Sequence, residues 1–163
     1  MRLLDHVIFN VIACNTDAHA KNYSMMISGL GVGLAPLYDV LCADAWQGIA
    51  QNLAQRIGGK NRGAHLKKRH WERMALECGL RADGVVARVR SLAERARLEL
   101  PAALSSVEAM PAGSHALLPQ FSAAIEQRAR TLILGLDEAP SASTGGAKAS
   151  TPSKKTRAKG PSA

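Results

Sequence analysis

Asp17 is followed five positions later by Asn22 and, beyond a short apolar segment, by Asp39. The first carboxylate is of the type that accepts a proton from a hydroxyl, and an amide oxygen with a second carboxylate can hold a hard cation. An acid and an amide at this spacing are the polar pair of a phosphotransferase catalytic loop. Mg²⁺ suits such a sparse oxygen set because it keeps several waters and leans on substrate phosphates. The same two groups would make a poor site for zinc.

These residues need a scaffold. Tyr23 to Ser28 and Val32 to Ala35 read as two short strands around a Gly29-Leu30-Gly31 turn, a hairpin that would return the chain so that Asp39 lies beside Asn22. Upstream, Leu3, Leu4, Val7, Ile8, Val11 and Ile12 recur at helical spacing and predict a largely buried helix over residues 2–13. Its position at the start of the chain reads as a sign of truncation, since an exposed apolar face there would need a partner or further sequence.

Asn15-x-Asp17-x-His19-x-Lys21-Asn22, followed by Leu34-Ala35-Pro36-x-Tyr38-Asp39-Val40, resembles the catalytic core of HipA-type serine/threonine kinases, the toxins of bacterial toxin-antitoxin pairs. Ala54-x-x-Ile57-Gly58-Gly59-Lys60 and Trp71-x-x-Met74-Ala75-x-x-x-Gly79-Leu80 are similar to that family as well. The resemblance implies that Asp17 is the catalytic base and that Asn22 and Asp39 hold Mg²⁺. It also implies that His19, Lys21, Asn22, Tyr38 and Asp39 line the ATP phosphates. Taken alone, His19 reads equally as a buried, satisfied histidine and Tyr38 as a packing residue. Such a kinase also needs an N-terminal lobe with a phosphate-covering loop and a lysine. Only 16 residues precede Asp17, so that lobe is expected to be missing and the chain to be inactive alone. The expected partners are an antitoxin-like protein or a separately encoded N-lobe, and a protein substrate. A fragment that works only through binding, or one half of a split kinase, is the alternative.

Composition narrows the other classes. The formal charge is +8, but five basic residues and no acid follow Glu138, leaving 16 basic against 13 acidic side chains in residues 1–138. Residues 1–138 therefore read as one mildly basic domain, and 139–163 as a disordered Ala/Ser/Lys-rich tail capable of weak, salt-sensitive contact with nucleic acid. Aromatic content of 4% argues against a base-stacking platform. Cys14, Cys42 and Cys78 form no Cys-x-x-Cys pair and read as reduced thiols of a cytoplasmic protein. Arg2, the apolar run from Val7 to Cys14 and Ala18-His19-Ala20 mimic a signal peptide, but Asp5, His6 and Asn10 interrupt it. No membrane span is expected.

Downstream, a helix is predicted from about Asp44 to Gly58-Gly59, then a basic loop from Lys60 to Gly63, and a second helix over 67–78 stopped by Gly79. The basic first turn of that second helix, Lys67 to His70, reads as a solvated face. A third helix runs from Asp83 to Leu100 and stops at Pro101, a shorter one covers 102–110, and the last runs from Ser114 to Leu136 with Pro119 in its first turns. His6, His65, His70 and His115 show no partner pattern. Gly29-x-Gly31-x-Gly33 is followed by no helix and reads as turn chemistry rather than a phosphate cradle. The predicted class is mainly α with one small β-hairpin, and the resemblance implies the C-lobe of a protein-kinase-like fold.

Overall fold

In the computed structural model, which describes residues 2–110 and 115–138, the chain builds α1 (Arg2–Ile12), a β1–β2 hairpin (Met25–Ser28, Gly31–Leu34), a β3–β4 hairpin (Asn52–Ile57, Lys60–Arg62), then α2 (Lys68–Glu77), α3 (Ala82–Glu108) and α4 (Leu118–Asp137). Single 3-10 turns cover Ala20–Asn22, Ala43–Ala45, Gly63–His65 and His115–Leu117. The region read as a tail, 139–163, lies outside the described residues, as do the turn residues 111–114.

Helix α1 is apolar on the face that periodicity predicts, and Ile8, Val11 and Ile12 are buried against α3 and α4. Those two helices pack on each other, contributing Val85, Val89 and Ala93 from α3 and Ala129, Leu132 and Leu136 from α4. Trp71 and Ala75 of α2, Leu53 and Ile57 of β3, and Leu66 complete one continuous core. Burying this much aliphatic surface is the dominant favourable term in the fold. Helix α1 is tied to α3 at its polar edge, where Arg88 makes two bonds to the Asp5 carboxylate at 2.7 and 2.9 Å.

Three expectations change. Residues 44–57 are not a helix: a 3-10 turn ends at Ala45, Gly48 turns with φ +79°, and the chain enters β3. Leu53 and Ile57, four positions apart, lie on the same face of β3, so a spacing that also fits a helix turn brings both apolar residues to the core. Gly58 and Gly59, at φ +52° and +82°, form the hairpin turn instead of a helix stop. The described residues thus contain two hairpins rather than one.

Pro101 does not end α3, which runs on to Glu108 and absorbs the predicted short helix. Pro101 and most residues after it are exposed, so the intrahelical bond that its missing N–H removes is not lost from the core. The β1–β2 hairpin forms as expected, antiparallel from Met25 opposite Leu34 to Ser28 opposite Gly31.

Candidate catalytic loop

The loop that carries Asp17 begins where α1 ends, and the geometry of that ending is specific. Cys14 adopts φ +58°, its N–H bonds the Val11 carbonyl at 3.2 Å, and the N–H of Asn15 reaches back to the Asn10 carbonyl at 2.8 Å. This is a Schellman closure. Helix α2 ends in the same way with Gly79 in the left-handed position, where Gly79 N–H bonds Leu76 and Leu80 N–H bonds Ala75. Placing a cysteine rather than a glycine there costs about 1–2 kcal/mol. Cys14 is fully buried, so its side chain returns packing at that cost.

Asn15, 2% exposed, organises the loop beyond it. Its Nδ2 donates to Asn10 Oδ1 at 3.0 Å and to the Asp39 carbonyl at 3.5 Å, while its Oδ1 accepts the Asp17 N–H at 3.0 Å. Asn10 in turn donates to the Tyr23 hydroxyl at 3.0 Å. A buried amide with its donors and acceptor engaged is held in one orientation, because releasing any bond leaves a desolvated polar group. One side chain therefore positions the Asp17 backbone and the Asp39 backbone together.

Of the side chains singled out in the sequence, Asp17, His19 and Asn22 lie in one turn. Asn22 Nδ2 donates to the Asp17 carbonyl at 2.7 Å, a bond that engages the amide nitrogen and not its Oδ1. The Asp17 carboxylate lies 3.3 Å from His19 Nε2, with both side chains well exposed. His19 is thus not a buried core histidine. Tyr38 donates to the Lys21 carbonyl at 3.0 Å and shares a 2.8 Å bond with Ser24, so it fastens the segment leading into Asp39 to the loop rather than packing in the core. Lys21 and Asp39 are exposed. Asp39 takes φ +53°, a left-handed conformation unusual outside glycine and best tolerated by Asn and Asp.

Among the described residues no group of three or more His, Cys, Asp or Glu side chains could hold a metal. An amide oxygen and one carboxylate fit Mg²⁺, whose remaining positions go to water and phosphate.

Further support comes from residues that sequence reasoning passes over. The Ala54 N–H of β3 bonds the Thr16 carbonyl at 3.2 Å, and the Ala43 N–H bonds the Cys14 carbonyl at 3.1 Å. Arg128 of α4 is 4% exposed, donates to the Val11 carbonyl at 3.3 Å and pairs with the Asp44 carboxylate. Its charge sits against the negative end of α1. The sequence does hold one trace of this arrangement, since Arg128 interrupts the apolar face that Ile125, Ala129, Leu132 and Leu136 define.

The family model described as HipA-like C-terminal domain matches residues 1–100, and the chain belongs to that family. Over 94 residues it is 35% identical to the candidate kinase Y4mE of Sinorhizobium fredii, covering 58% of this chain and 22% of that protein. Over 55 residues it is 36% identical to the serine/threonine-protein kinase toxin HipA of Shewanella oneidensis, covering 34% of this chain and 13% of the relative. A solved complex of Shewanella oneidensis HipA with HipB and operator DNA contains a chain of the same fold, with TM-score 0.70, 22% identity, and coverage of 82% of this chain and 31% of the other. The chain thus spans less than a third of the length of these relatives. No helix among the described residues is long and apolar enough to cross a membrane.

Proposed function

We propose that this chain is the catalytic C-lobe of a serine/threonine protein kinase of toxin-antitoxin type, using ATP and Mg²⁺. The observation that carries this reading is the buried Asn15 amide, which bonds Asp17 on one side and Asp39 on the other. In that arrangement the Asp17 carboxylate accepts the proton of a protein hydroxyl as it attacks phosphorus, and the nearby His19 imidazole orients it. Asn22 Oδ1 and the Asp39 carboxylate would hold the ion, which would there supply charge neutralisation on the phosphates. Lys21 adds a phosphate-facing charge, while Tyr38 holds that segment in place through the Lys21 carbonyl.

Residues 1–138 act as one domain in this reading, and the basic segment 139–163 contributes weak affinity for nucleic acid. The setting is the cytoplasm. Phosphoryl transfer needs charge and positioning from both sides of the nucleotide, so the lobe alone is inactive and works with a complementary lobe, on the same polypeptide or encoded separately. Met25, Ile27, Leu30 and Val32 on the first hairpin are exposed, an apolar surface suited to that contact. The same surface favours a second reading, a binding fragment whose partner is antitoxin-like.

Calorimetric titration with Mg²⁺-ATP separates the two. Binding that is lost in Asp39→Ala supports the kinase lobe. A folded chain that binds no nucleotide removes that reading and leaves the binding fragment.

A further inference from the structure

Cys14 and Cys42 are 28 positions apart in sequence, yet the fold places them against each other at the base of the loop. The Ala43 N–H bonds the Cys14 carbonyl at 3.1 Å, and Cys42 is the residue that caps the 3-10 turn Ala43–Ala45. The Cys14 thiol lies beside Cys42 and donates to the Ile12 and Ala124 carbonyls at 3.7 Å each. Cys14 is fully buried and Cys42 is partly open to solvent.

We propose that Cys14 and Cys42 form a peroxide-oxidisable dithiol that closes to an intramolecular disulfide, joining the start of the Asp17 loop to the segment after Asp39. Its chemistry is independent of the kinase reading.

The asymmetry of the pair assigns the roles. The neighbouring Cys14 thiol lowers the Cys42 thiol to about 7, opposed by burial and by the Asp44 carboxylate. The neighbouring Cys42 and burial push Cys14 far up, with Arg128 pulling the other way. Cys42 is therefore the thiolate that meets the oxidant, and Cys14 the thiol that resolves it.

In the first step the Cys42 thiolate attacks one oxygen of hydrogen peroxide. The S–O bond forms, the O–O bond breaks, and the departing hydroxide takes a proton to become water. In the second, Cys14 attacks the sulfenic sulfur of Cys42, the S–S bond forms, the S–O bond breaks, and the Cys14 proton leaves with the hydroxide as water. Two thiols lose two electrons and peroxide gains them. A dithiol reductant reverses the link by exchange.

The test uses the full reduced chain carrying Cys78→Ser, which removes the exposed third thiol. After brief exposure to hydrogen peroxide, the chain is alkylated and its intact mass and peptides are measured. The expected product has lost two hydrogens, takes up no alkylating reagent, yields a crosslinked Cys14–Cys42 peptide, and returns to two reactive thiols with dithiothreitol. In Cys42→Ser, Cys14 remains reduced under the same exposure. Oxygen added to Cys42 without a crosslink, a crosslink formed only between chains, or Cys14 oxidising equally fast in Cys42→Ser would each overturn the proposal.

Discussion

The guanidinium of Arg128, near the middle of α4, is paired with the Asp44 carboxylate 84 positions away while donating to the Val11 carbonyl at the end of α1. A charge that is 4% exposed and has two partners is stable only while both remain. Removing one partner of such a pair typically costs about 3–5 kcal/mol, because the other charge stays buried and uncompensated. Arg128→Met is expected at the lower end of that range, since its replacement fills the space without a charge. Asp44→Asn, which strands the guanidinium, is expected to cost about as much. Urea unfolding midpoints measure both, and an unchanged midpoint in either would remove the pair from the fold's supports.

Gly63 exists for the same arginine. A Cβ added there would lie 1.9 Å from Arg128 Nη1, so Gly63→Ala must displace the guanidinium from its carbonyl and carboxylate. A loss of about 2–3 kcal/mol is expected for this overpacking and the bonds it breaks. At Gly33 nothing lies within 4 Å of an added Cβ and φ is ordinary, so Gly33→Ala should leave the thermal midpoint within about a degree or two of the parent.

His70 supplies a pH dependence. Its Nδ1 accepts the Lys67 N–H at 2.9 Å, and burial, reinforced by Arg69, Lys60 and Lys67, holds its pKa below the ordinary 6.5. The folded state resists a proton that the unfolded chain accepts. Stability from this site is therefore fully present above 6.5 and lost as pH falls through the lower folded value. Unfolding free energies measured from about pH 7 to about pH 5 should fall, and His70→Gln, which keeps an acceptor but does not titrate, should flatten the slope. Equal slopes in the two proteins would exclude the site.

Asn15→Ala leaves the Asp17 N–H and Asn10 Oδ1 without their partner, each desolvated group costing about 1–3 kcal/mol. Beyond a lower midpoint, amide hydrogen exchange at Asp17 should accelerate while exchange in α3 changes only with global stability. Uniform acceleration across the chain would mean that Asn15 supports the fold generally rather than the loop.

In an assembly that phosphorylates protein, Asp17→Asn should lower turnover by about 10²–10⁴-fold with nucleotide affinity retained, the usual consequence of losing a general base. Turnover at the parent rate would take the base role away from Asp17.

How legible an element is in the sequence depends on how local its signal is. The apolar stripe of α1, the β1–β2 hairpin and the Gly79 stop of α2 depend on neighbours within a few residues, and they form where those neighbours predict. The β3–β4 hairpin reads as helix because residues four apart, such as Leu53 and Ile57, share a face in a strand as they do in a helix, and only the pairing of Asn52 with Arg62 and Ile57 with Lys60 tells the two apart. Pro101 reads as a stop because a proline weakens a helix locally, whereas its exposed position lets the helix continue. The polar residues of the site are visible in their spacing. Their supports are not, because Asn10, Asp44 and Arg128 act through partners that only the folded chain brings near.

The route by which Arg128 closes the first helix also fixes an order of events during synthesis. Residues 15–22 leave the ribosome well ahead of α4, but the side chain that secures the end of α1 against them lies 117 positions after Val11. At about 5–20 residues per second, several seconds separate the two. Through that interval the nascent loop lacks its buried cation, so the segment read as catalytic is written first and shaped last.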